Sequence, residues 1–228
     1  TEGLVARGHD VTLFATANST TRAKLHATHA HGYTEDPTMW PWELYELLNL
    51  SAAVDRAAAF DIIHYQANYF PMSLAFTRLS TAPIVQTLHH SPSPSEVRLW
   101  SQYPDAAFIA VSREQARLLS GTRVVGTVLH GIDTAAYTFS PVSEDYVLFL
   151  GRFTAGKGVE QAIAVAQRVG IRLILAAAEN DYYRANIAPL VDGRSVIYYG
   201  EADHAQKVRL YGGARALLYP VQAGEPFG

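Results

Sequence analysis

The sequence contains no cysteine, which excludes disulfides, thiolate nucleophiles and Cys-based zinc sites. Charge is sparse and nearly balanced: 18 Lys and Arg stand against 21 Asp and Glu, a net charge of −3. No basic field of the kind that holds nucleic acid is present, so nucleic acid is not an expected partner; a peripheral membrane contact stays open. No apolar run approaches the ~18 residues of a membrane span and nothing reads as a signal peptide, so a cytoplasmic location is expected. Several phosphate and catalytic signatures are missing as well. There is neither a Gly-x4-Gly-Lys-Ser/Thr loop nor a Gly-x-Gly-x-x-Gly fingerprint. An Asp-x-Asp pair for a metal–diphosphate complex is lacking, as is a Gly-x-Ser-x-Gly elbow.

What is present is apolar and regularly punctuated. Hydrophobic residues make up 49% and charged residues 17%, which suits layers whose strands are covered on both faces. Strand-like runs fall at 11–15, 62–65, 84–88, 107–111, 124–129, 146–150, 172–176, 196–199 and 216–219. Helical stretches fall between them at 42–59, 72–79, 95–101, 113–119, 159–169, 182–190 and 205–213. This alternation predicts an α/β protein built from βαβ units on parallel sheets. Residues 16–38, rich in Thr, His and small side chains, read as a long surface loop. The polar stretch 138–145 holds a proline and no periodicity, and it reads as a linker. We therefore expect two Rossmann-like domains, 1–139 and 140–228, facing each other across a cleft at their strand ends, where ligands bind. Thr1 to Gly8 reads as the end of a helix and the chain stops within Glu225-Pro226-Phe227-Gly228, so a fragment shortened at both ends is expected.

The most informative stretch runs from Val147 to Gly158. A buried strand empties into a loop bounded by Gly151 and Gly158, carrying Arg152 and Lys157, and a helix follows at once. A helix start with two cations is an anion site, and here the anion would be a diphosphate. The residues alone leave a second reading open, a βα loop with two solvated cations. His89 lies just past the strand at 84–88, placed either to hydrogen-bond a substrate or merely to cap a loop. His64 reads as structural and Ser112 as a helix N-cap. Gly131, in His130-Gly131-Ile132-Asp133, would admit a ligand close to the backbone or serve a tight turn. Glu225, in a Gly/Pro loop after the last strand, is a carboxylate that sugar hydroxyls could use. The groups His26, His29, His31 and His89, His90 lack compact metal spacing, so no metal site is expected. Tyr65, Tyr69, Tyr182 and Tyr183 read as core before they read as an acceptor platform.

In order, these pieces resemble glycosyltransferase family 4, retaining enzymes of the GT-B fold. The likeness runs through Gly8-His9-Asp10-Val11, the strand 60–64, Thr87-Leu88-His89, His130-Gly131-Ile132-Asp133, Gly151-Arg152 with Lys157-Gly158, and Glu225-Pro226-Phe227-Gly228. The resemblance implies transfer of a sugar from a nucleotide-diphosphate sugar to an acceptor hydroxyl, with retention and without a metal. It implies that Gly151, Arg152 and Lys157 bind the donor diphosphate, that Gly131 and Glu225 contact the donor, and that His89 stands beside the transferred sugar. The donor is a substrate, no cofactor is implied, and the acceptor (a sugar, a lipid-linked molecule or a small molecule) is not specified. One departure is His130, where the family carries Asn. A first strand before Thr1 and a second Glu after Gly228 are also implied, so residues 1–228 alone are expected to be inactive. A nucleotide-sugar epimerase, a phosphorylase or a non-catalytic nucleotide-sugar-binding module would fit the same loop.

Overall fold

The computed structural model describes residues 1–32, 35–36, 38–66, 71–222 and 224–227. The chain forms two units, Thr1–His130 together with Pro226–Gly228, and Gly131–Glu225.

The first unit opens with the short helix α1 (Glu2–Ala6), which ends ahead of Gly8 at φ +85°. Strands β1 (Thr12–Ala15) and β2 (Lys24–Ala27) then pair in parallel. The strand β2 lies within the stretch expected to be a loop. Its side chains are mostly exposed, and it is held by backbone pairing to β1, a bond that carries no side-chain signal. Helix α2 (Glu43–Val54) follows, and a separate 3-10 turn covers Ala57–Ala59, where one helix over 42–59 was expected. The rest of the unit alternates β3 (Ile63–Tyr65), α3 (Pro71–Phe76), β4 (Ile84–Thr87), α4 (Pro94–Trp100), β5 (Ala107–Ala110), α5 (Arg113–Leu118) and β6 (Arg123–Thr127). These four strands form a parallel sheet in sequence order, β3-β4-β5-β6. Leu50 of α2, Trp100 of α4, Phe108 of β5 and Leu119 are buried together in its core. Trp100 and Phe108 stack with ring centres 5.8 Å apart. Helix α4 begins on a capping box, Ser93 with Glu96, and carries Pro94 in its first turn, where the missing N–H costs nothing.

The second unit contains β7 (Tyr146–Leu150), α6 (Val159–Val169), β8 (Arg172–Ala176), β9 (Val196–Gly200), α7 (His204–Gly213) and β10 (Ala216–Leu217). Its parallel sheet runs β10-β7-β8-β9. Side chains alternate along β7 between two cores: Val147 and Phe149 join one, Tyr146 and Leu148 the other. On α6, Val159, Ala162, Ile163 and Ala166 recur at helical spacing and are buried against the first of these. Each large apolar side chain so buried contributes ~1.5–3 kcal/mol over leaving it in water. Gly170, at φ +72°, ends α6 in the left-handed conformation that a side chain would resist. Between β8 and β9 lie a π-helical turn, Tyr183–Ile187, and a 3-10 turn, Ala188–Leu190, where a single helix was expected. Residues 138–145 hold neither helix nor strand.

Candidate functional site

In the second unit, β7 delivers the chain at Gly151 into a loop that its own side chains pin from below. Phe153 is fully buried and packs on Phe149, Tyr183 and Tyr198. Because Phe153 points inward, its neighbour Arg152 is left exposed, with no ion pair among the described residues. The Phe153 carbonyl accepts from Asn180 Nδ2 at 2.9 Å, and the Gly156 carbonyl accepts from the Gln222 N–H at 2.8 Å. Gly151 is required by contact, since a Cβ there would lie 2.8 Å from the Tyr219 ring. Gly158 is required twice over. Its φ is +72°, and a Cβ would stand 1.9 Å from the Pro220 carbonyl oxygen. Gly158 is also the N-cap of α6 and offers no side chain to its first amides.

Lys157 sits at the head of this helix. Its ammonium donates to Glu225 Oε1 at 2.7 Å and lies 5.3 Å from the centre of the Tyr219 ring. Burial pulls the Lys157 pKa down, but the Glu225 carboxylate and Tyr219 outweigh it and the net direction is up. The ammonium therefore keeps its proton at neutral pH. The structure thus brings together three of the five residues expected to bind the donor, Gly151, Lys157 and Glu225, around Tyr219, a residue the sequence did not single out. Tyr182 donates to Glu160 Oε2 at 2.6 Å, and that bond, with burial, pushes its phenol up to about 12. Tyr183 is buried against Tyr198.

In the first unit, His89 lies two residues beyond β4. Its ring stacks on that of His130, with centres 5.6 Å apart and planes 5° from parallel. Phe227 meets the same His130 edge-on at 5.0 Å. Burial, then the His130 charge, lowers the pKa of His89, so its imidazole is neutral at pH 7. His64 bonds Thr87 Oγ1 through Nε2 at 2.7 Å; burial first, and His89 second, lower its pKa too. Ser112 caps α5 as its position suggested, accepting from the Gln115 N–H at 3.0 Å. Its hydroxyl also donates to the Pro226 carbonyl. Gly131 has open space where a Cβ would stand. His26, His29 and His31 turn to different neighbours, Phe14, Tyr45 and Glu35. Among the described residues, no group of three or more His, Asp or Glu is placed to hold a metal ion. Nor is any helix there long and apolar enough to cross a membrane. Tyr65 is buried in the core, while Tyr69 and Gly228 lie outside the described residues.

A family model described as Glycosyltransferase Family 4 matches residues 1–136. No curated protein matches the chain. Among solved structures, AviGT4, a glycosyltransferase involved in avilamycin A biosynthesis, superimposes with a TM-score of 0.62 at 21% identity. That match covers 99% of this chain and 61% of the other. TarM aligns with a TM-score of 0.56 at 12% identity, covering 76% of this chain and 40% of its own. The GtfA/B complex aligns at 0.51 and 14% identity, covering 78% and 41%. The chain thus spans less than two thirds of the length of each, and at these identities the likeness is one of fold, the GT-B fold.

Proposed function

Since the chain belongs to glycosyltransferase family 4, we propose that the protein moves a sugar from a nucleoside-diphosphate sugar to an acceptor hydroxyl, with retained anomeric configuration and no divalent ion. One observation carries the reading: Lys157 and Glu225 are held together at the head of α6, beside a loop that leaves Arg152 exposed.

As the bond from the anomeric carbon to the diphosphate breaks, negative charge builds on the leaving oxygens. A protonated Lys157, the Arg152 guanidinium and the uncapped amides of α6 are groups that stabilise such charge, the work a metal does elsewhere. Glu225 holds Lys157 in place before the donor arrives. Once phosphate oxygens share the ammonium, the carboxylate becomes available to the hydroxyls of the donor sugar. Gly151 keeps Tyr219 close beneath this loop. In the first unit, the neutral imidazole of His89 suits a hydrogen bond to a sugar hydroxyl. In the second, open space at Gly131 suits a close approach of ligand to backbone. Retention enters from the family alone.

The test is a thermal-shift panel of nucleoside diphosphates and nucleotide sugars on the protein. A donor present at about a hundred times its Kd should stabilise by about 2.7 kcal/mol. Transfer assays in a chelator, with the anomeric proton of the product read by NMR, check metal independence and retention. A panel in which no nucleoside diphosphate raises the melting temperature would remove the proposal.

A further inference from the structure

His89 lies beyond the last paired residue of β4, so the sheet by itself does not fix its direction. The Leu88 N–H still reaches the Ile109 carbonyl at 3.1 Å, and there the ladder ends. Beyond that point the backbone carbonyls are held by Gln115 of α5, while the His90 side chain has its own bond to Glu96 at 3.0 Å. The Gln115 side chain is fully buried on a helix whose neighbouring Arg113, Glu114 and Arg117 are exposed. Its Nε2 donates to the Leu88 carbonyl at 3.0 Å and to the His90 carbonyl at 2.8 Å. Its Oε1 accepts from the Val111 N–H at 2.7 Å.

A buried amide is costly unless its polar atoms are paired, and here both amide protons are committed to carbonyls one residue either side of His89. An apolar side chain of similar size would fill the same space. It would leave the two carbonyls without this donor and loosen the 88–89 and 90–91 peptide planes that bracket residue 89. The parallel stack of His89 on His130 depends on that bracketing, because the backbone on either side of residue 89 sets the direction in which its Cβ leaves.

We propose that Gln115 is a positioning residue for His89: its amide splints the carbonyls of Leu88 and His90 and so fixes the direction of the imidazole. The catalytic part of this rests on the glycosyltransferase reading above; the geometric part does not. Gln115 acts only through His89 and touches no substrate.

Gln115→Met and His89→Ala are made singly and together in the protein. Gln115→Met should lower kcat for sugar transfer about tenfold with the donor KM within about twofold, and should add nothing to the loss caused by His89→Ala. Losses that multiply in the double variant overturn the proposal. A second readout needs no activity: the NMR contact between the His89 and His130 rings should vanish in Gln115→Met while the melting transition stays cooperative. If that contact persists in the folded variant, Gln115 does not position His89. If the contact is lost and the parent protein transfers no sugar from any donor, the transfer reading falls and the placement role stands. Should Gln115→Met fail to fold, Gln115→Asn, one methylene too short to reach both carbonyls, takes the same measurements.

Discussion

Lys157 and Glu225, 68 positions apart in the chain, meet at 2.7 Å with only 17% and 25% of their side-chain surfaces exposed. An ion pair so placed makes the carboxylate a competitor of any phosphate that seeks the ammonium. Glu225→Gln keeps the shape and removes the charge. We expect it to tighten binding of a bare nucleoside diphosphate by roughly threefold to tenfold, near the ~1 kcal/mol of a partly exposed pair, while sugar transfer falls. Isothermal titration with the nucleoside diphosphate reads the first effect and product formation the second. Equal affinity in both proteins would mean that Glu225 does not compete.

Arg152 offers the opposite case. It is exposed and has no ion pair among the described residues, so Arg152→Ala should alter the unliganded stability by no more than about 0.5 kcal/mol. Affinity for the nucleoside diphosphate should drop about tenfold, and its dependence on salt should flatten. Melting curves with and without ligand at two ionic strengths check both. A fall in unliganded stability would assign the side chain to packing.

Acid should weaken the first unit through its histidines. His29, His64 and His89 all have pKa values below the ordinary 6.5, chiefly through burial. The unfolded chain then takes up protons more readily than the folded one. Their contribution is complete above pH 6.5 and is lost as pH falls from there through the folded values. The melting temperature should therefore decline between about pH 7 and pH 5, ahead of most carboxylate titration, and less steeply in His89→Gln. A flat profile over that range would show that these imidazoles are not held neutral.

Gly158→Ala should be among the most damaging single-methyl additions in the second unit. The left-handed backbone alone costs ~1–2 kcal/mol for an alanine, and the contact with the Pro220 carbonyl forces the loop away as well. A total loss of about 3 kcal/mol or more is expected in chemical denaturation. Gly131→Ala, with open space around it, should change stability little and serves as the control.

Much of the second unit was readable from residue order. The bounds of β7, α6 and β8 follow from continuous apolar runs and from glycines at 158 and 170. What escaped has physical reasons. The side chains of β2 are mostly exposed, so its strand character rests on the partner that β1 provides. The stretch 42–59 has neither Gly nor Pro to announce the stop of α2 at Val54. The meeting of Lys157 and Glu225 depends on β10 returning to pair beside β7, and strand order is not written in periodicity. Gln115 was invisible for a similar reason: a glutamine between charged residues on a short helix looks like solvent-facing surface, and only its three partners reveal that it is interior.

The hydroxyl of Ser112 serves two masters: it accepts from the first turn of α5, and its own proton goes to the carbonyl of Pro226, 114 residues downstream. Since Pro226 and Phe227 belong to the first unit, that unit is discontinuous in the chain. On the ribosome it must wait, with that proton unspent and one side of His130 uncovered by Phe227, until the whole of residues 131–225 has been made.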